Sequence, residues 1–256
     1  MKVIITNRVT AVTAASEDSS YPDDNLLDEH PKKIWKAANG VTSTSITVSI
    51  ASSTDGADGG IAIFNTNATS AIINLSDPNE VIWVDSEWVT VEWPSGAPQE
   101  SVTVGEINST SNAVWATYTG AETALSADII LTGSATLYAG VIVAGTVVDF
   151  PDPRYGIQEG LVDYSIKREL SNGAIYTKKR DVVRTFSAEI LPNREEYFYT
   201  FMHTLARDNS YAPLAWRLTN QTGFDWVVYA RLEDMPSGVH AYPSHSPIQF
   251  TIREEI

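Results

Sequence analysis

The side chains able to do chemistry in this sequence are few and unevenly placed. Four histidines, His30, His203, His240 and His245, are the only side chains with an ordinary titration near neutrality, and there is no cysteine. Disulfides, thiolate zinc sites and cysteine nucleophiles are thereby excluded. His240 and His245 lie five apart in the Pro-rich stretch 236–247, a poor spacing for two ligands on one helix face. Carboxylates are plentiful, and Asp181, Glu189, Glu195 and Glu196 could form an acid–base pair, but any acidic chain contains such pairs. The Gly-x-Ser-x-Gly, His-Glu-x-x-His and phosphate-loop patterns are absent. Asp23-Asp24-Asn25 with Asp28, and Asp55 with Asp58, are the candidates for calcium. Neither has the regular Asp-x-Asp-x-Asp-Gly spacing, and Asp and Asn in loops more often serve turns. These residues predict a non-catalytic chain with no cofactor and no metal.

Two other constellations fit binding better. Trp83, Trp88 and Trp93 carry aromatic faces that stack on sugar C–H surfaces. On a strand running from Trp88 to Trp93 the two would point to opposite faces, so one joins a core and the other is free for a glycan or a subunit contact. Core or subunit packing is the plainer reading of both. The second constellation is basic: Lys167, Arg168, Lys178, Lys179, Arg180 and Arg184 cluster around Ser171-Asn172-Gly173. In an acidic protein such a patch can register against the acidic surface of a neighbouring copy or another protein. The alternative is a solvated strand edge whose lysines discourage edge-to-edge pairing.

The rest of the chain must position these groups. It has 256 residues, of which 17 are Lys or Arg and 32 Asp or Glu, for a net charge of −15. That balance disfavours nucleic acid and anionic membrane surfaces as partners, because both need a surplus of basic side chains. No stretch approaches the ~20 apolar residues of a membrane helix, and the first residues lack the apolar run of a secretory signal. Length and 43% hydrophobic content suit one large or two ordinary globular domains. Residues 1–150 carry −13 of the charge and residues 151–256 only −2, and Pro151-Asp152-Pro153 sits at the change. The junction is therefore expected there, between a domain 1–150 and a module 151–256.

In 1–150, Ile46, Val48 and Ile50 alternate with Ser45, Thr47 and Ser49, the mark of a strand with one buried face. Further short runs predict strands over Val3–Thr13, Ala71–Leu75, Trp88–Trp93, Ala113–Thr119, Asp128–Leu131 and Leu137–Val148. With no helical periodicity among them, these favour a β-sandwich or jelly roll. In 151–256, Leu161–Leu170 and Ala174–Leu191 read as two long strands joined by the Asn-Gly turn. Asn193 and Glu196 start the one helix, about 194–207, with Phe198, Phe201, Met202 and Leu205 as its apolar stripe. Three more strands follow. The fold class is all-β with one helix.

Two stretches carry a family resemblance. Tyr21-Pro22-Asp23-Asp24-Asn25-Leu26-Leu27-Asp28, leading to Pro31 and Trp35, resembles the opening of discoidin-like jelly rolls, many of which are carbohydrate-binding modules. The resemblance implies that Trp35 is buried. Leu137-Tyr138-Ala139-Gly140-Val141-Ile142-Val143-Ala144-Gly145, with Pro153-Arg154-Tyr155-Gly156 and Asp163-Tyr164-Ser165-Ile166, resembles structural proteins of the tail tip of long-tailed bacteriophages. That likeness implies a virion component assembled in the host cytoplasm. It would oligomerise as a ring around the tail axis and join other tail proteins. A host-surface glycan is the alternative partner.

Overall fold

A computed structural model describes residues 1–52, 58–76, 81–84, 87–90, 101–104, 112–118, 125–154, 156–169, 175–192, 197–219, 226–239 and 245–255. The chain forms two compact units. One comprises Lys2–Asp149 and Ala215–Val228, the other Met1, Phe150–Leu214 and Tyr229–Ile256.

The first unit contains β1 (Lys2–Asn7), β2 (Val9–Ala14), β3 (Trp35–Lys36), β4 (Ser43–Ile50), β5 (Gly59–Phe64), β6 (Ser70–Ser76), β7 (Val81–Val84), β8 (Glu87–Thr90), β9 (Ser101–Val104), β10 (Val114–Tyr118), β11 (Leu125–Thr132), β12 (Tyr138–Ala139) and β13 (Val141–Asp149). One sheet runs β10-β5-β13-β1 and the other β2-β4-β11-β6-β9, with every pair antiparallel. The alternation expected of β4 holds, with Ile46, Val48 and Ile50 buried, and the neighbouring β11 likewise buries Ala127, Ile129 and Leu131. They meet Ile61, Ile63, Ile142 and Ala144 of the facing sheet in one core, which makes the unit a β-sandwich. β5 is buried along its whole length and β13 along most of it, which is why both read as near-continuous apolar runs without alternation.

Two predicted strands divide. Val3–Thr13 becomes β1 and β2, which lie in different sheets. The chain turns at Asn7, whose Oδ1 accepts the Val9 and Ala144 amides at 3.3 Å each. Leu137–Val148 breaks at Gly140, where a Cβ would collide with the Pro31 carbonyl oxygen. Trp35 is fully buried, as the discoidin-like resemblance implies, and its strand pairs it with Ala139. The Tyr-Pro-Asp-Asp-Asn-Leu-Leu-Asp segment forms a 3₁₀ turn over Asp23–Leu27 that drives Leu26 into the core. Asn25 Nδ2 donates to the Ile34 carbonyl at 2.9 Å and fixes the approach to Trp35.

The second unit holds β14 (Gln158–Asp163), β15 (Ile166–Glu169), β16 (Ile175–Lys178), β17 (Val182–Ile190), β20 (Ser237–Gly238) and β21 (Ile248–Glu254). β18 (Leu214–Arg217) and β19 (Val227–Leu232) complete the strands. Ala215, Trp216 and Arg217 of β18 pair with Ile4, Val3 and Lys2 of β1. This pairing is why Ala215–Val228 belongs with the first unit, whereas the charge boundary suggested one unbroken module over 151–256. Ala230–Leu232 of β19 pair with β21, β21 pairs with β17, and β17 with β14. One face of β17 and β21 buries Phe186, Ala188, Ile190, Ile248, Phe250 and Ile252.

The helix covers that face: the Phe201 ring lies 5.3 Å from Phe250 and 5.2 Å from Phe150. The apolar spacing predicted an α-helix over about 194–207, and the structure has a π-helix over Thr200–Asp208. A turn closed by i→i+5 hydrogen bonds holds more residues than an α-turn. The buried side chains are accordingly Phe201, Leu205 and Ala206, while Met202 is only half-buried. The expected cap, Asn193 with Glu196, lies outside the described residues. No helix among the described residues is long and apolar enough to cross a membrane.

Candidate assembly surface and aromatic strands

The two long arms predicted for 161–191 are each cut in two. β14 pairs with β17 over Gln158↔Ser187 to Asp163↔Val182, and β15 with β16 over Ile166↔Lys178 to Glu169↔Ile175. Between the ladders one arm spans two residues, Tyr164 and Ser165, and the other three, Lys179, Arg180 and Asp181. The unequal count is a β-bulge, which bends the outer ladder relative to the inner one. Ser165 pins the joint: its Oγ accepts the Arg180 amide at 3.0 Å, and its own amide donates to Asp163 Oδ1 at 2.8 Å. Those bonds from Ser165, side chain first, hold the Asp163 carboxyl below its ordinary range, helped by Lys167 and Lys179.

Beyond the joint every described side chain except Ile166 is exposed. Arg168 and Lys178 share one face of the ladder with Tyr176, and Lys167 shares the other with Ile175. Lys179 and Arg180 sit in the bulge. None of these five cations forms an ion pair with a described residue. Over 166–180 the sequence holds five basic residues against one acid, Glu169, so a segment of +4 leaves −19 for the remainder of a −15 chain. Apolar groups are interleaved with the charges: Ile175 is 72% and Tyr176 56% exposed, and Leu161 on the edge strand β14 is 70% exposed.

Arg184, the sixth basic residue of the predicted cluster, does not join the other five. It lies on β17, half-buried, with Nε donating to Glu254 Oε2 at 2.9 Å and Nη2 to Oε1 at 2.6 Å. Its guanidinium also lies over the Phe186 ring at 5.7 Å. The hydrogen bonds to Glu254 raise its pKa further, against the effect of burial. Sequence proximity grouped Arg184 with the hairpin because its partner is 70 residues away.

The tryptophans are placed in part. β7 and β8 form a two-stranded ladder in which Trp83 stands opposite Trp88. Trp93 lies outside the described residues. In the first acidic cluster the Asp23 and Asp28 carboxylates accept backbone amides, Asp23 Oδ2 that of Ala14 at 2.9 Å and Asp28 that of His30 at 2.9 Å. Asp28 also accepts from Lys33 Nζ at 2.5 Å, and this bond is the largest of the causes that lower its pKa. Asp55, His240, Glu195 and Glu196 fall outside the described residues. Among the described residues no group of three or more His, Cys, Asp or Glu side chains converges as a metal site. His203 stacks on Tyr199 at 5.8 Å, and Glu189 is bound to Arg154 Nη1 at 3.0 Å.

A cleft of about 500 Å³ opens in the second unit, on the outer face of β17 and β21. Sequence reasoning missed it, because the residues that form it lie on separate strands and are ordinary polar positions of alternating segments.

No protein-family profile matches the chain, and no curated protein matches it in sequence. Two solved structures are similar in part. One is a chain of the crystal structure of reduced XRCC1 bound to the DNA pol beta catalytic domain, with 14% identity and a TM-score of 0.34. The match covers 56% of this chain and 98% of that one. The other is truncated AlyQ with CBM32 and alginate lyase domains, with 16% identity and a TM-score of 0.32. That match covers 77% of this chain and 55% of that one, so the chain spans about half the length of the second structure.

Proposed function

We propose that this chain is a non-catalytic structural protein of a bacteriophage tail tip, which oligomerises around the tail axis and links the tail tube to distal tip proteins. The observation that carries the reading is the outer hairpin. Five cations that form no ion pair with a described residue, three on the outer ladder and two in the pinned bulge, stand beside two exposed apolar side chains, in a chain that is otherwise strongly acidic. Held this way, the patch meets a partner with little ordering of its backbone, which is the usual cost of a contact made by a loop. The acidic surface of the next copy supplies the opposite charge, and repetition of one heterologous contact closes a ring. Such a protein works in the virion after assembly in the host cytoplasm. Replacing Lys167, Arg168, Lys178, Lys179 and Arg180 by Ser and imaging the resulting particles tests the reading: tail tips should be missing or disordered. Intact tips would remove the hairpin from assembly.

A second reading, host-surface glycan binding by the β-sandwich unit, is favoured by the juxtaposition of Trp83 and Trp88 in the ladder. It predicts that Trp88→Ala and Trp93→Ala abolish glycan binding and leave particle assembly intact.

A further inference from the structure

The geometry points to a binding site for a neutral, hydroxyl-rich ligand, a saccharide, in the cleft on the outer face of β17 and β21. This site is separate from the hairpin and from the tryptophan ladder, and it goes beyond the assembly reading. The cleft, of about 500 Å³, falls in the ~300–1,000 Å³ range of small-molecule sites. Most such sites are lined mainly by apolar groups, whereas this floor is polar.

Its chemistry follows from the strand register. Ser187 pairs with Thr251 and Glu189 with Gln249, so two cross-strand polar pairs face the cleft about 7 Å apart along the strands. Each pair is already ordered. The Ser187 and Thr251 hydroxyls are 3.0 Å apart, and Gln249 Nε2 donates to Glu189 Oε2 at 3.2 Å. Glu189 is held from its other side by Arg154 Nη1 at 3.0 Å. The floor therefore presents fixed hydroxyls, an amide and a carboxylate with lone pairs and protons to spare, and Asp234 and the exposed Met235 add an acceptor and an apolar flank.

This set discriminates between ligand classes. An anion would meet the Glu189 and Asp234 carboxylates. A cation would find Glu189 already neutralised by Arg154, leaving Asp234 alone. An apolar ligand would cover polar groups without replacing their bonds to water. Sugar hydroxyls both donate and accept, and can satisfy amide, hydroxyl and carboxylate groups together, with a C–H face against Met235.

The test is a glycan array followed by saturation-transfer NMR titration, using the full chain with neutral and anionic oligosaccharides. Neutral saccharides should bind, and Gln249→Ala and Asp234→Ala should each weaken binding at least tenfold with unchanged thermal unfolding. Trp88→Ala and the five-serine hairpin variant should leave it unchanged, which separates this site from both readings of function. Absence of binding by every neutral saccharide at millimolar concentration would overturn the inference. So would a preference for anionic saccharides, or binding that survives both substitutions.

Discussion

Arg184 grips Glu254 through two hydrogen bonds, Nε to Oε2 at 2.9 Å and Nη2 to Oε1 at 2.6 Å, while the five basic residues just before it in the chain form no ion pair with any described carboxylate. One cluster in the sequence is thus two devices in the fold: a clamp between β17 and β21, and a charged surface outside them. Their variants should separate. Arg184→Ala should cost about 2 kcal/mol, because it leaves a half-buried carboxylate without its partner. Lys178→Ser and Arg180→Ser, at exposed positions, should change stability by less than about 0.5 kcal/mol. Chemical denaturation of the three variants checks this.

The sandwich core gives a second test. Trp35 is fully buried, in the same core that takes Leu26 of the 3₁₀ turn. Trp35→Ala should therefore cost about 3–5 kcal/mol, the usual effect of emptying an aromatic site in a core. Thermal unfolding of the variant measures it.

Close backbone packing gives a third. Gly145 lies where β13 passes the bulge in β1, and a Cβ there would collide with the Thr6 carbonyl oxygen. Since backbone cannot swing aside as a side chain can, Gly145→Ala should destabilise by about 1–3 kcal/mol. Ala144→Gly at the neighbouring position removes a methyl and introduces no clash, and serves as the comparison.

Asp28 supplies a prediction in pH. Its hydrogen bond from Lys33, then that from the His30 amide, lower its pKa from the ordinary 3.8. A depressed carboxylate contributes stability above its unfolded value and loses it as pH falls through the folded value. The contribution of Asp28 should therefore disappear only below pH 3.8. Lys33→Ala should move the Asp28 titration, followed by carboxyl NMR, back up toward 3.8. The Asp163 titration, set mainly by Ser165, should not move in that variant.

What could be read from the sequence follows how local each determinant is. The alternation in β4 needs no knowledge of distant residues, and it placed Ile46, Val48 and Ile50 on one face, which is buried. The passage from β1 to β2 was hidden, because Asn7-Arg8 holds no Gly or Pro and the acceptors and donors that turn it lie at Ala51 and Ala144. The helix was legible as an apolar stripe, but its π geometry was not: Phe201 and Leu205 fit both spacings, and only the burial of Ala206 in place of Met202 separates them. The basic hairpin was visible as composition. Its bulge was not, since it depends on the register of Ile166↔Lys178 against Asp163↔Val182.

The most direct test of the central claim is sedimentation velocity of the purified full chain at low and high salt, with a variant in which Lys167, Arg168, Lys178, Lys179 and Arg180 are all changed to Glu. Contacts between a basic hairpin and an acidic surface weaken as ionic strength rises. The wild-type chain should self-associate at low salt and dissociate at high salt. The variant should remain monomeric at both, with unchanged thermal unfolding. Equal association of wild type and variant, or a wild-type chain that stays monomeric at low salt at the highest attainable concentration, would contradict assembly through the hairpin.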